Sequence, residues 1–238
     1  MFLEERYEKI IKKIESDGRV AVKSLAVEFD VTEDCIRKDL RELEKQGKLK
    51  RVYGGAIAAR AHLVVKGIDE RRNINLDKKK KIAQKAVELI EDEDIIFLDT
   101  STINLEIAKR LEETGKRVTV VTNMIEVLLE LKKSTHVKLI CVGGQFNPDV
   151  GAVVGAAADR YIKNFIYDKA FIGVCGINKE TGSISTLLLE DGTTKKTIME
   201  CSTQSYLVME KKKFQYDEFY KFATLDDITA IITEDDVM

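Results

Sequence analysis

The sequence predicts an α/β protein, with a small N-terminal winged helix-turn-helix domain followed by a larger α/β domain built on a mostly parallel sheet. Three observations predict it. Residues 1–57 read as three short helices and a basic strand, with a tight turn before the third helix. From Asp77 onward, helical periods alternate with short apolar runs, the pattern of a parallel sheet covered on both faces. Charge is also split: residues 1–60 hold 14 Lys and Arg against 12 Asp and Glu, whereas residues 61–238 hold 25 against 29.

Phe2, Leu3, Tyr7, Ile10, Ile11 and Ile14 recur at three- and four-residue spacing, so 2–16 is an amphipathic helix that Ser16-Asp17-Gly18 stops. Val20–Val22 is a short extended link. Lys23–Phe29 is a second helix with Leu25, Ala26 and Phe29 on one side, and Asp30-Val31 is the turn. Thr32 fits an N-cap, with Glu33 and Asp34 in the first turn where the helix dipole favours acids. The third helix runs to about Gln46 with Ile36, Leu40 and Leu43 inward, and Gly47 ends it. Leu49 and Val52 alternate with Lys50 and Arg51 in a short strand, and Tyr53-Gly54-Gly55 signals a turn.

Residues 58–76 form a linker carrying Arg60, Arg71 and Arg72 without a clear period. Beyond it, strands are expected at Ile95–Leu98, Val118–Val121, Val137–Val142, Ala170–Val174, Tyr206–Met209 and Ile228–Ile232. A helix containing Ile82, Ala83, Ala86, Val87 and Ile90 precedes the first. Others are expected over Thr102–Glu113, Met124–Lys133, Gly155–Phe165 and Thr194–Cys201.

The formal net charge of −2 excludes a polycation, so nucleic-acid binding must come from a local patch. Such a patch exists. Cys35–Tyr53 carries Arg37, Lys38, Arg41, Lys45, Lys48, Lys50 and Arg51 against three acids. Arg37, Lys38 and Arg41 lie opposite the core stripe of the helix that would enter the major groove, and Lys48, Lys50 and Arg51 lie on the wing near phosphates. On charge alone, a solvated helix face is the competing reading. Cys35, Cys141, Cys175 and Cys201 show no CxxC spacing, and three of them sit in apolar runs. His62 and His136 lie far apart, so neither a metal site nor a cofactor is expected. There is no leader and no long apolar run, which places the protein in the cytoplasm, off the membrane.

Polar residues collect where the strands of the larger domain end. Asp99-Thr100-Ser101-Thr102 follows the first strand, Thr122-Asn123 the second, and Gly143-Gly144 the third. Ligands of such sheets bind beyond the carboxyl ends of the strands, and helix N-terminal amides with hydroxyls favour anions. The alternative is that Thr102 and Asn123 only cap helices. Lys213 follows a strand too, and either reaches an anion or belongs to a solvated loop.

These residues resemble the DeoR-type bacterial transcriptional regulators over nearly the whole chain. The N-terminal match comprises Arg6, Ile10, Val31-Thr32-Glu33-Asp34-Cys35-Ile36-Arg37-Lys38-Asp39-Leu40, Leu43-Glu44, Gly47 and Arg51-Val52-Tyr53-Gly54-Gly55-Ala56. Departures are Thr32 for Ser, Cys35 for Thr, Lys38 for Arg and Tyr53 for His. The C-terminal match includes Arg71, Asn75, Lys79, Ile82-Ala83, Phe97-Leu98-Asp99, Val121-Thr122-Asn123, Gly143-Gly144, Gly155, Asp168–Gly173, Gly176-Ile177 and Lys213-Phe214.

The resemblance implies a DNA-binding domain over 1–57 that uses Thr32, Cys35, Arg37, Lys38, Arg41, Lys48, Lys50, Arg51, Tyr53 and Gly54 on double-stranded operator DNA. It implies an effector-sensing and oligomerisation domain over 77–238, similar to ribose-5-phosphate isomerase. There Asp99, Thr100, Ser101, Thr102, Thr122, Asn123, Gly143, Gly144, Asp168 and Lys213 would take a phosphorylated sugar or related metabolite. The protein would then be a repressor of a carbohydrate operon, acting as a homodimer or homotetramer with two recognition helices on neighbouring half-sites. The family's phosphate loop reads D-S-G-T-T, and here it is Asp99-Thr100-Ser101-Thr102-Ile103. Two other readings stand beside this one. A sugar-phosphate isomerase with an added DNA-binding module would use Asp99, Asp168 and Lys213 for acid–base chemistry. A sensor that has lost its ligand would serve only as an oligomerisation platform.

Overall fold

The computed structural model describes residues 3–17, 19–58 and 68–238. Two compact units divide between His62 and Leu63. His62, Arg60 and the linker residues 59–67 lie outside the described residues.

The N-terminal unit contains α1 (Leu3–Asp17), β1 (Arg19–Ala21), α2 (Val22–Phe29), α3 (Glu33–Lys45), β2 (Leu49–Val52) and β3 (Gly55–Ala58). Its core is Ile10, Ile14, Val22, Leu25, Ala26, Phe29, Ile36, Leu40, Leu43, Leu49 and Ala56, and it includes the helix residues Ile10, Ile14, Leu25, Ala26, Phe29, Ile36, Leu40 and Leu43 that helical spacing marks as inward. Asp30 takes the left-handed conformation (φ 53°) that ends α2. Thr32 caps α3, its Oγ1 accepting from the Cys35 amide at 3.2 Å. β3 is an addition to the sequence expectation. It lies between β1 and β2 in a three-stranded antiparallel sheet. Gly55 is required there, because a Cβ would stand 2.0 Å from the Val20 carbonyl oxygen.

In the larger unit, α4 (Ile68–Arg72) and α5 (Leu76–Glu88) lead to β4 (Ile95–Leu98), α6 (Thr102–Thr114), β5 (Val118–Thr122), α7 (Ile125–Leu131) and β6 (Val137–Cys141). A hairpin of β7 (Gln145–Asn147) and β8 (Ala152–Val154) follows, then α8 (Ala156–Ile162) and β9 (Tyr167–Gly173). The chain continues through β10 (Gly176–Ile177), β11 (Ser183–Thr186), α9 (Leu189–Glu200), β12 (Ser202–Val208), a 3-10 turn over Lys211–Gln215, β13 (Tyr220–Thr224) and β14 (Ala230–Ile232). The linker expectation changes at α4, because Ile68 is buried in the core of the larger unit.

Six strands form one parallel sheet in the order β14-β12-β9-β4-β5-β6. Successive side chains alternate between its faces. Ile96 and Leu98 join α5, α6 and α7 in one core, whereas Phe97, Ala170, Ile172 and Leu207 join α8, α9 and the β10–β11–β13 sheet in the other. From β4 the strands run outward to β5 and β6, and the chain then returns to place β9 on β4's other side. The order therefore reverses between β4 and β9, which opens a crevice beyond their carboxyl ends.

Candidate functional site

Asp99 follows β4 and lies at this reversal. It is fully buried, and its Oδ2 accepts from the Gly173 amide at the end of β9 (3.0 Å) and from Lys195 Nζ on α9 (2.5 Å). Lys195 is itself buried and also faces Asp191 Oδ1 at 3.2 Å, one helical turn earlier. Thr186 donates to Asp191 Oδ2 at 2.6 Å. Burial pushes the Asp99 carboxyl up to about 6, with Lys195 opposing the shift, while the two carboxylates hold the Lys195 ammonium above the usual lysine range against its burial. Asp99 Oδ1 has no hydrogen-bond partner among the described residues.

Neighbouring polar groups satisfy one another in part, while the buried Asn104 Oδ1 and Asn123 Oδ1 have no hydrogen-bond partner among the described residues. Thr100 Oγ1 donates to the Val150 carbonyl at 2.9 Å. Ser101 is the N-cap of α6, its Oγ accepting from the Ile103 amide at 3.1 Å. Its φ of −163° is ordinary extended backbone, so the loop needs no glycine at this position for conformational reasons. Ile103 is a core residue, and Thr102 is buried. Thr122 Oγ1 donates to the Leu98 carbonyl at 2.6 Å and accepts from the Met124 amide at 3.1 Å. Asn123 Nδ2 donates to the Val153 carbonyl at 3.1 Å, which pins the β7–β8 hairpin to the end of β5. Helix capping therefore does not explain Thr102 or Asn123: Ser101 caps α6, and the N-cap of α7 is Met124. Gly143 and Gly144 are exposed between β6 and β7.

Asp168 and Lys213 lie at opposite ends of the sheet. Asp168 lies at the amino end of β9, where its Oδ2 accepts from the Ile95 amide at 2.8 Å. It is at the opposite end of the strands from Asp99, so the structure does not bring it to the crevice. The reason is register: Asp168 precedes the apolar run of its strand, and parallel pairing sets it beside the start of β4. Lys213 does lie at the carboxyl end, where Nζ donates to the Val174 carbonyl at 2.5 Å, and burial lowers its pKa. Arg71 and Lys79 lie within electrostatic reach of it. Lys79 is 3% exposed and donates to the Arg71 carbonyl. Burial lowers Lys79 to about 8, with repulsion from Lys213 and Arg71 adding and Glu210 opposing. Asn75 Nδ2 donates to Glu210 Oε2 at 2.5 Å.

Sequence reasoning missed Lys195, Asp191 and Asn104. Asn104 is fully buried and donates to the carbonyls of Asp99 (2.6 Å) and Phe171 (2.8 Å). The Asp191/Lys195 spacing of four residues was the available signal.

In the N-terminal unit, Lys38, Arg41, Lys48 and Lys50 are exposed and make no ion pair among the described residues. Arg37 and Arg51 are engaged. Arg37 pairs with Glu33 and Asp34, and Arg51 donates from its backbone amide and from Nε to the two carboxylate oxygens of Glu44 (2.8 and 2.7 Å), stitching β2 to α3. Tyr53 is fully exposed at the β2–β3 turn, Gly54 beside it has φ 79°, and Cys35 is half-buried. All four cysteines are free, with Cys141 exposed rather than apolar-packed. Among the described residues no group of three His, Cys, Asp or Glu could hold a metal, and no helix is long and apolar enough to cross a membrane.

A winged helix-turn-helix unit followed by a three-layer α/β unit with a polar crevice is the organisation of a DNA-binding regulator with a sensor domain. The chain belongs to the DeoR family of transcriptional regulators. Residues 6–61 match the DeoR-like helix-turn-helix domain, and residues 74–235 match the DeoR C terminal sensor domain. The uncharacterized HTH-type transcriptional regulator YulB of Bacillus subtilis (strain 168) is 31% identical over 234 residues, 98% of this chain and 90% of that protein. The lactose phosphotransferase system repressor of Lactococcus lactis subsp. lactis is 30% identical over 98% of this chain and 91% of its own length. The HTH-type transcriptional repressor GlcR of B. subtilis is 29% identical over 98% and 89%. These relatives are regulators, and the isomerase reading yields to that. Among solved structures, eIF2B delta from Chaetomium thermophilum shares the fold, with TM-score 0.50 and 16% identity over 68% of this chain and 57% of that one. Ribose 5-phosphate isomerase A from Methanocaldococcus jannaschii gives TM-score 0.44 and 17% identity over 58% and 54%.

Proposed function

We propose that this regulator represses a carbohydrate operon by binding its operator through residues 1–57, and that a phosphorylated sugar or related metabolite bound within 77–238 releases it, with the segment before α4 as the link. The observation that carries the reading is the set of exposed, unpaired cations on the outer side of α3 and on the wing. Lys38 and Arg41 face away from the Ile36/Leu40/Leu43 stripe, and Lys48 and Lys50 follow on β2 and just before it. Lysines and arginines so placed exchange counterions for phosphates. Thr32, Cys35, Tyr53 and Gly54 complete the surface, and Arg51 contributes by holding the wing against α3.

The effector is assigned to the crevice at the β4/β9 reversal. Asp99, Thr100, Ser101, Thr102, Thr122, Asn123, Gly143 and Gly144 would form its walls, with Lys195 and Asn104 fixing Asp99. The Thr100 hydroxyl and the Ile103 amide are already engaged within the loop and its neighbours, and we place the effector's phosphate toward Lys213, Lys79 and Arg71. Lys213, Lys79 and Arg71 lie within electrostatic reach of one another and repel, with Glu210 and Glu106 opposing that repulsion at Lys79, and an anion would relieve it. The names of the lactose phosphotransferase and GlcR relatives support a sugar-derived ligand. A homodimer or homotetramer would present paired recognition helices.

Thermal stabilisation tests the effector reading. A ligand that binds only the folded chain raises its melting temperature by mass action. One phosphorylated sugar is expected to do so while its unphosphorylated counterpart does not, and Lys213→Met is expected to reduce the shift. Equal shifts with both sugars would contradict the phosphate assignment.

A further inference from the structure

Arg37 projects from the exposed side of α3, and both ends of its guanidinium are held by its own helix. Nη2 donates to Glu33 Oε2 at 2.6 Å, and Nη1 donates to Asp34 Oδ1 at 2.9 Å. Glu33 and Asp34 are the first two residues of α3, directly after the Thr32 cap. The helix dipole accounts for acids at this end. It does not account for two carboxylates converging on one guanidinium.

A guanidinium carries five N–H groups. The two ion pairs occupy one on each Nη, leaving the Nε–H and the second N–H of each Nη. Guanine offers arginine a pair of acceptors, O6 and N7, in the major groove, and the N-terminal residues of a recognition helix are those that reach base edges. The other cations differ. Lys38, Arg41, Lys48 and Lys50 have no such restraint among the described residues. They suit phosphates, which need charge more than orientation.

We propose that Glu33 and Asp34 are positioning residues for sequence readout: they hold Arg37 oriented toward the base edges and, as negative charges beside the groove, weaken binding to DNA of the wrong sequence. This rests on α3 being the recognition helix. A restrained guanidinium loses less rotamer freedom when it docks, so the correct base pair gains from the restraint. On any other sequence, Arg37 finds no acceptor pair, and the Glu33–Asp34–Arg37 triad presents a net charge of −1 to the phosphates with no base contact in return. The two acids thus lower affinity for all DNA but lower it least for the correct site.

Full-length protein is first used to select duplexes from a randomised library. The enriched duplex and a scrambled duplex of the same composition are then titrated by fluorescence anisotropy at one salt concentration with wild type, the Glu33→Gln/Asp34→Asn double variant, and Arg37→Lys. The double variant is expected to bind the scrambled duplex more tightly than wild type, while the ratio of the two affinities falls about tenfold. Arg37→Lys, which keeps the charge but loses the planar fork, is expected to lose the ratio with little change on scrambled DNA. Unfolding would lower both affinities, so it cannot produce either pattern. An unchanged ratio in the double variant would overturn the inference and leave the recognition-helix assignment standing. A wild type that enriches no sequence would overturn that assignment, and this inference with it.

Discussion

Arg6 and Asp39 form a buried bidentate ion pair, with Nε donating to Oδ2 at 2.6 Å and Nη2 to Oδ1 at 3.0 Å. The residues are 7% and 3% exposed, and the pair ties α1 to the inner side of α3. It thereby fixes the helix that carries the exposed cations. Removing one partner strands the other charge, at a cost of about 3–5 kcal/mol. Asp39→Ala is expected to lower the denaturant midpoint of the N-terminal unit accordingly. Arg6→Met with Asp39→Leu removes both charges and is expected to recover most of the loss. A wild-type midpoint for Asp39→Ala would contradict the role.

The Asp99–Lys195–Asp191 cluster makes a prediction about pH. Lys195→Met leaves two buried carboxylates without their cation, which is expected to cost about 3–5 kcal/mol at pH 8. Burial already raises Asp99 to about 6, and loss of Lys195 raises it further. A carboxyl whose folded pKa lies above its unfolded value binds an extra proton in the folded state, so stability returns as pH falls through that pKa. Urea midpoints at pH 8 and about pH 5.5 are expected to show the deficit of Lys195→Met shrinking at the lower pH. A deficit that is constant or grows on acidification would contradict the assignment of the buried charge.

Gly173 and Ser101 test the close packing at the crevice floor. A Cβ on Gly173 would stand 2.6 Å from Ser101 Cβ and 3.0 Å from the Thr100 carbonyl oxygen. Gly173→Ala is expected to lower the melting temperature and weaken effector binding. Ser101→Gly removes one of the two clashes at the expense of only a few tenths of a kcal/mol of capping. The double variant is therefore expected to be more stable than the sum of the single effects predicts. Additive effects would show that the two loops do not press on each other.

Much of this was legible in the sequence. Hydrophobic period located the core helices and all six strands of the parallel sheet, because strands buried on both faces are continuous apolar runs. β3 was not legible, since Gly54-Gly55 reads as a turn and nothing in Gly-Ala-Ile-Ala alternates. For a related reason, apolar spacing predicts only Thr194–Cys201 for α9, which runs over Leu189–Glu200. Its inward face includes Asp191, Thr194 and Lys195, so apolar spacing does not describe it and the lysine that neutralises Asp99 stays hidden. The resemblance points Asp168 to the crevice, whereas its place before the apolar run of its strand sets it at the amino end. Ion pairing on α3 is invisible to composition: Arg37 and Lys38 read alike, and only the folded helix separates the restrained cation from the free one.

The unpaired wing cations predict a salt dependence. Taking away one lysine that neutralises a phosphate reduces the slope of log affinity against log salt by about 1. Lys48→Ala and Lys50→Ala are each expected to weaken binding to enriched and scrambled duplexes alike, with that change in slope. An effect confined to the enriched duplex would make these residues base readers instead.

The central claim is that effector binding within 77–238 controls DNA binding by 1–57. Its most direct test is a titration of the protein bound to its enriched duplex, at fixed salt, with phosphorylated sugars and their unphosphorylated counterparts. The account predicts that one phosphorylated sugar lowers DNA affinity by about five- to 150-fold, the usual range of coupling between sites, and that the Lys213→Met variant responds only at higher concentration. A sugar phosphate that stabilises the protein yet leaves DNA affinity unchanged would contradict it.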